Sequence, residues 1–281
     1  MALSVLNFES KYLNANTTVN IILPDRPWQV DPIEYHNPEK KYKVLWLLHG
    51  AFGDHSSWLR RTNIETYACE KEIMVVMPGV LNSNYSNWPN FGSGFDVERF
   101  LIDELMPLVY HWFPASDKRE DNFIAGLSMG GQGCTRYAVW YPEKFAAAAV
   151  LSGSPVSWND LSEEWMSAGM FRNQIDACGG IDALRASHAY TWQRIKELAP
   201  TGELPRMYFT MGKDDYLFEG WYVPFKNFAQ EVGLNATFEE YDGYGHEWRF
   251  WDFSIQRALE FFGLPDVILN NEYVNKEADS N

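Results

Sequence analysis

The chain has 281 residues, 46% of them hydrophobic, which is enough for one large α/β domain with a substantial core. A formal net charge of −15 argues against the basic face that nucleic acid or an anionic membrane surface would need. No run of 18 apolar residues is present to span a bilayer, so neither a membrane nor nucleic acid is an expected partner. Residues 1–10 lack the basic and apolar segments of a secretory signal. Cys69, Cys134 and Cys178 are odd in number and contain no C-x-x-C pair. That usage fits buried thiols in a reducing compartment, the cytoplasm, better than a disulfide framework or a zinc site.

Taken in order, Val5–Phe8 and Thr18–Leu23 alternate as strands do, and Pro24–Lys41 reads as a loop. Tyr42–His49 is a near-continuous apolar strand of the kind buried on both faces, and it runs into Gly50-Ala51-Phe52-Gly53. Asp54–Cys69 is expected as one helix and Ile73–Pro78 as the next buried strand. Gly79–Gly94 is a turn-rich loop holding Asn82, Tyr85, Trp88 and Phe91. Phe95–Phe113 reads as a long amphipathic helix stopped by Pro114.

A strand over Phe123–Leu127 and a helix over Cys134–Tyr141 then flank Gly126-Leu127-Ser128-Met129-Gly130. Phe145–Ser152 is a strand of small residues. Residues 156–204 carry helical pieces and no clear strand, a cap-like insertion. Arg206–Met211 restores strand alternation, followed by a helix over Phe218–Val232, a strand over Ala236–Asp242 and a helix over Trp248–Phe262. Residues 270–281 are polar and expected to fray. Strands alternating with helices imply a single domain over 1–281, with a mostly parallel sheet covered on both sides. Ligands then belong at the carboxyl ends of the strands.

The segment around Ser128 fits Gly-x-Ser-x-Gly, in which a serine stands on a strained strand-to-helix turn with its Oγ exposed above the sheet. The flanking glycines lack Cβ, so the helix can pass close to the strand. A serine nucleophile on such a scaffold needs an acid and then a base further along the chain. Only His188 and His246 lie downstream. His188 falls in an expected helix of the insertion and reads as a surface residue. His246, in Asp242-Gly243-Tyr244-Gly245-His246, follows the last strand on the active edge and reads as the base. A zinc role for His246-Glu247 fails because Phe250 stands where H-E-x-x-H needs its second histidine. No metal is therefore expected.

The acid should follow the preceding strand, where Asp214 and Asp215 compete, and the physics of the sequence does not separate them. Two backbone N–H groups should form an oxyanion hole, one from Met129 and one from Ala51 or Phe52. His49 reads as structural, its ring satisfying nearby backbone groups.

With these residues placed, the chain resembles the esterase D and tributyrin-esterase family of α/β-hydrolases, which includes feruloyl and acetyl-xylan esterases. The resemblance runs from Thr18 to about Phe262. It is carried by Leu47-Leu-His-Gly50, Ser57-Trp-Leu-Arg-Arg-Thr-Asn-Ile-Glu65, Gly126-Leu-Ser-Met-Gly130, Gly212-Lys-Asp-Asp-Tyr-Leu217 and His246-Glu-Trp-Arg-Phe-Trp-Asp252. It implies the α/β-hydrolase fold and a serine carboxylesterase working through an acyl-enzyme on short-chain (acetyl to butyryl) or hydroxycinnamoyl esters, including those of carbohydrates. It also implies Asp215 as the acid, no cofactor, and a homo-oligomer.

The segment after His49 lacks the Ser-Gly-Leu-Thr-Cys stretch of S-formylglutathione hydrolases, which favours the tributyrin-esterase branch. That thioesterase activity, acyl transfer, and a non-catalytic binding protein on a hydrolase scaffold are the competing readings. Trp88, Trp158, Trp165, Trp221 and Tyr222 are candidates for an aromatic wall around the substrate.

Overall fold

The computed structural model describes residues 2–24, 30–35, 37, 39–167 and 169–266, without the side chains of Trp165 and Met170. The expected frayed tail at 270–281 and part of the Pro24–Lys41 loop lie outside the described residues. The chain opens with a hairpin, β1 (Ala2–Ser10) and β2 (Ala15–Leu23), and a short helix α1 (Pro32–Tyr35). Strand β3 (Lys43–Leu48), helices α2 (Ser57–Arg61) and α3 (Ile64–Glu70) and strand β4 (Ile73–Pro78) follow. Helices α4 (Val97–Arg99) and α5 (Met106–Trp112), joined by a π-helical stretch over Phe100–Leu105, lead to β5 (Asn122–Leu127), α6 (Met129–Trp140) and β6 (Ala147–Leu151). Residues 156–204 hold α7 (Glu163–Ser167), α8 (Gly169–Ala177), α9 (Ile181–Ala186) and α10 (Trp192–Leu198), and no strand among those described. The chain then makes β7 (Arg206–Gly212), α11 (Val223–Glu231), β8 (Ala236–Tyr241) and α12 (Trp248–Phe261).

The eight strands form one sheet in the order β1-β2-β4-β3-β5-β6-β7-β8. The β1–β2 and β2–β4 pairs are antiparallel and every pair from β4 through β3 to β8 is parallel. This is the mostly parallel, helix-covered sheet of the α/β-hydrolase fold.

The apolar runs are continuous because both faces are buried. On β3, Val44, Trp46 and Leu48 enter the core under α4–α6, α10 and α11, while Leu45 and Leu47 enter the core under α2, α3 and α12. The start of β5 is fixed by Asn122, which has no solvent exposure. Its Oδ1 accepts from Trp46 Nε1 and Tyr110 Oη, both at 2.9 Å, and its Nδ2 donates to the carbonyls of Ser116 and Lys118.

Several boundaries differ from the sequence expectation. The helix expected over Asp54–Cys69 breaks at Thr62, whose Oγ1 donates back to the Trp58 carbonyl at 2.7 Å. The next N–H, of Asn63, goes to Asp252 Oδ1 on α12 instead of up the helix. The helix after β5 begins at Met129, five residues earlier than expected, so Ser128 caps it directly. The helices expected over Phe95–Phe113 and Phe218–Val232 both contain π-helical stretches, over Phe100–Leu105 and Phe218–Tyr222, just ahead of Pro107 and Pro224. A proline has no N–H for the ladder, and wider turns beside it absorb the missing bond.

Candidate active site

Strands β3, β5, β7 and β8 each deliver one component at their carboxyl ends. Ser128, directly after β5, has φ 51° and ψ −116°, a conformation that a side-chain-bearing residue adopts only when its surroundings enforce it. The enforcement is steric and hydrogen-bonded. A Cβ on Gly126 would overlap the Gly130 carbonyl, and one on Gly130 would stand 2.5 Å from the Leu48 carbonyl oxygen. The Ser128 N–H donates to Leu151 on β6 at 2.8 Å, and its carbonyl accepts from Gly131 at 2.9 Å.

The loops leaving β7 and β8 are fastened together. Lys213 N–H donates to the Tyr241 carbonyl at 2.9 Å and Asp214 N–H to the Tyr244 carbonyl at 3.1 Å, while Gly212 passes so close to Tyr244 that no Cβ would fit. Backbone pairing at Asp214 turns its side chain to solvent and the next one, Asp215, inward to 4% exposure. Asp215 Oδ1 accepts the Leu217 N–H at 3.0 Å and Oδ2 accepts His246 Nδ1 at 2.7 Å. With Nδ1 donating to the carboxylate, Nε2 is left to accept the Ser128 hydroxyl, 2.9 Å away. The imidazole is held between Tyr216, at 5.1 Å, and the edge of Trp251, at 5.0 Å. Three side chains spread over 118 positions of sequence thus form one hydrogen-bonded line.

His49, 1% exposed, is structural as expected. Its Nδ1 donates to the Gly50 carbonyl at 2.8 Å and its Nε2 accepts the Val80 N–H at 3.2 Å. Burial lowers its pKa, against the opposing pull of the Gly50 carbonyl, and keeps the ring neutral. Of the two donors expected from this loop, the Phe52 N–H is engaged by Asn82 Oδ1 at 2.6 Å, and Ala51 faces the cavity beside Ser128 and Met129.

That cavity holds about 640 Å³ of empty space. Val156, Phe171, Leu217 and Trp221 give it an apolar wall, and Asn82, Asn84, Gln132 and Gln174 an amide-rich one. Of the tryptophans expected around a substrate whose side chains are described, only Trp221 lines it. Trp158 is 1% exposed and packs edge-on against Phe171 in a small core that holds the insertion together. Trp88 is half-buried against the main core and Phe91, and the side chain of Trp165 lies outside the described residues. Tyr222 is fully buried, its hydroxyl on the Glu239 carbonyl.

His188 is not on a helix. It sits in the turn after α9, its ring stacked 3.8 Å from Trp140 and its Nδ1 2.5 Å from Glu98 Oε1, and it lines a different pocket from Ser128.

Comparisons with known proteins bear on the family and the fold. A family model described as "Putative esterase" matches residues 10–262. The chain belongs to this esterase family. It is 30% identical over 272 residues to an acetyl esterase of Caldicellulosiruptor saccharolyticus, covering 93% of this chain and 98% of that one. Among solved structures, the fluorophosphonate-binding serine hydrolase F of Staphylococcus aureus superposes with a TM-score of 0.76 at 27% identity, over 96% of this chain and 99% of that one. An S-formylglutathione hydrolase of the same organism superposes with a TM-score of 0.76 at 29% identity, over 93% and 99%. The protein is a serine ester hydrolase of the α/β-hydrolase fold.

Within this esterase, the amide-rich wall was not singled out by sequence reasoning. Gln132 carried a usable signal, since four residues after Ser128 on one helix puts it on the same face. It clamps the far wall, donating to the Ser154 carbonyl and accepting the Val156 N–H at 3.2 Å. Gln174 carried none. It is 2% exposed and reaches the cavity from α8, accepting from Asn84 Nδ2 at 3.0 Å.

Proposed function

We propose that Ser128, His246 and Asp215 are the catalytic triad of a carboxylesterase acting on short-chain acyl esters. The observation that carries this reading is the line Ser128 Oγ, His246, Asp215, with bonds of 2.9 and 2.7 Å, opening into the cavity. Ser128 Oγ attacks the ester carbonyl as its proton passes to His246 Nε2, and Asp215 steadies the imidazolium. The C–O bond to the alcohol breaks and the alcohol leaves with that proton. Water then attacks the acyl-serine, gives its proton to Nε2 and releases the acid, and Ser128 recovers its proton. The N–H groups of Met129 and Ala51 receive the oxyanion.

Acetyl to butyryl groups are the favoured acyl class, supported by the likeness to an acetyl esterase and by the apolar wall that Phe171, Leu217 and Trp221 give the cavity. Hydroxycinnamoyl esters are second, since Trp221 and Phe171 offer ring faces. The amide-rich wall suits a hydroxylated alcohol such as a sugar. Initial rates on p-nitrophenyl acetate, butyrate and octanoate and on methyl ferulate test the assignment, and a clear win for octanoate would overturn it. The likeness to an S-formylglutathione hydrolase supports one other reading, a thioester substrate, which S-formylglutathione in the same assay would reveal.

We read the insertion as a cap; Asn84–Gln174 and the hydrogen bonds from Arg136 and Trp140 to the His188 carbonyl join it to the body. Three buried thiols fit a cytoplasmic setting, and size-exclusion chromatography with light scattering tests for a homo-oligomer.

A further inference from the structure

The loop that crosses above Ser128 contains a conformational conflict. Phe52 has φ 61°, a left-handed conformation that a bulky L-residue adopts only at a steric cost. Its side chain does nothing to offset that, being 89% exposed. The compensating contact is on the backbone, where the Phe52 N–H donates to Asn82 Oδ1 at 2.6 Å.

Asn82 stands on a turn that is itself pinned. The Val80 N–H goes to His49 Nε2, Tyr85 Oη donates to the His49 carbonyl at 3.2 Å, and the Asn84 carbonyl accepts from Arg136 at 2.8 Å. The acceptor offered to Phe52 is therefore fixed in space.

Ala51 lies between two peptide planes, and each is clamped. The Gly50 carbonyl, which shares its plane with the Ala51 N–H, accepts from His49 Nδ1 at 2.8 Å and from the Gly53 N–H at 3.2 Å. In a trans peptide the N–H points opposite the carbonyl, so that clamp directs the Ala51 N–H away from His49. The following plane carries the Phe52 N–H, and only Asn82 is recorded as holding it among the described residues.

We infer that Asn82 is a positioning residue of the oxyanion hole: by accepting the Phe52 N–H it keeps residue 52 left-handed and so holds Ala51 in place over Ser128. This deepens the triad reading and rests on it. Without the acceptor, Phe52 relaxes to negative φ, the plane between residues 51 and 52 rotates, and Ala51 moves with it. The effect falls on the transition state, where the oxyanion forms, and not on ground-state binding.

The test compares wild type with Asn82→Ala, Phe52→Gly, Phe52→Pro and the doubles N82A/F52G and N82A/F52P. Readouts are kcat and KM on p-nitrophenyl acetate, the Ki of a trifluoromethyl ketone, and phosphonate labelling of Ser128 followed by intact mass. Asn82→Ala should lower kcat on the order of 10²-fold, the scale of one oxyanion donor, with KM within about twofold and Ki rising in parallel. Glycine adopts positive φ without steric cost, so N82A/F52G should recover roughly tenfold of the loss. Proline fixes φ near −65° and has no N–H, so F52P alone should reproduce the loss and N82A should add nothing to it. F52P also stands in if Asn82→Ala does not fold.

A wild-type kcat in Asn82→Ala, a change confined to KM, or a loss that glycine at 52 leaves untouched would each overturn the inference. A wild type that is not labelled at Ser128 would instead end the triad reading beneath it.

Discussion

Gly130, in the first turn of α6, lies against the Leu48 carbonyl at the end of β3, where a Cβ would stand 2.5 Å from the oxygen. Both partners are backbone within the sheet-and-helix frame, so neither can give way. Gly130→Ala should therefore displace α6, and Ser128 with it, lowering kcat more than 10²-fold in protein that melts several degrees early. Circular dichroism melts and p-nitrophenyl acetate kinetics on one preparation would check this, and normal kcat would show that the turn at Ser128 tolerates a wider gap.

The adjacent aspartates give the sharpest contrast. By analogy with other triads, Ser128→Ala should cost on the order of 10⁶ in kcat and Asp215→Asn roughly 10⁴. Asp214→Asn should stay within about twofold of wild type, because that side chain faces solvent. Comparable losses at 214 and 215 would mean that the turn rearranges in solution.

That contrast marks where the sequence was readable. Strands β3 to β7 were legible because burial on both faces leaves unbroken apolar runs, and the Gly126–Gly130 turn because its glycines answer a steric need within five residues. His246 was legible by elimination. The choice between Asp214 and Asp215 was not a matter of residue type, since it depends on which peptide the Tyr244 carbonyl takes. The break between α2 and α3 depends in part on Asp252, 189 positions from Asn63. Asn82 was invisible as a positioning group because polar loop residues carry no periodicity to report their contacts.

Two buried groups contribute to the acid stability. His49 has its pKa lowered by burial, so below its ordinary value of 6.5 the unfolded chain binds a proton that the folded one resists. Its contribution is whole above pH 6.5 and is lost as pH falls toward the folded value. Burial opposes ionisation of Glu98, but hydrogen bonds from His188 and Tyr141 and the charges of His188 and Arg136 outweigh it and hold the carboxyl below its ordinary 4.5. The stability from Glu98 is therefore present above pH 4.5 and lost as pH falls through that lower folded value. Urea midpoints should decline in two stages, one below pH 6.5 and one below 4.5. His49→Asn should flatten the first stage and Glu98→Gln should shrink the second. An unchanged first stage in His49→Asn would assign it elsewhere.

Trp158 and Trp221 belong to the same insertion-side cluster but should fail in opposite ways. Trp158 is 1% exposed, packs against Phe171, and has its carbonyl bound by Arg185 Nε and Nη2 at 3.2 and 3.0 Å. Trp158→Ala removes a fully buried indole, which costs about 3–5 kcal/mol. The loss should fall on residues 156–204 first, because the cluster joins the insertion and not the central sheet. Hydrogen exchange should rise in α8 and α9 while β3 to β7 stay protected, with kcat on p-nitrophenyl acetate little changed below the melting transition. Trp221 instead lines the cavity with Ser128. Trp221→Ala should leave the melting temperature within a few degrees and raise KM for p-nitrophenyl butyrate roughly tenfold, the effect of about 1.4 kcal/mol of lost apolar contact. Acetate, with two fewer methylenes to reach that wall, should be affected less. If Trp158→Ala shifted KM and Trp221→Ala shifted stability, the two indoles would have exchanged roles, and the cavity wall would have to be redrawn around Trp158.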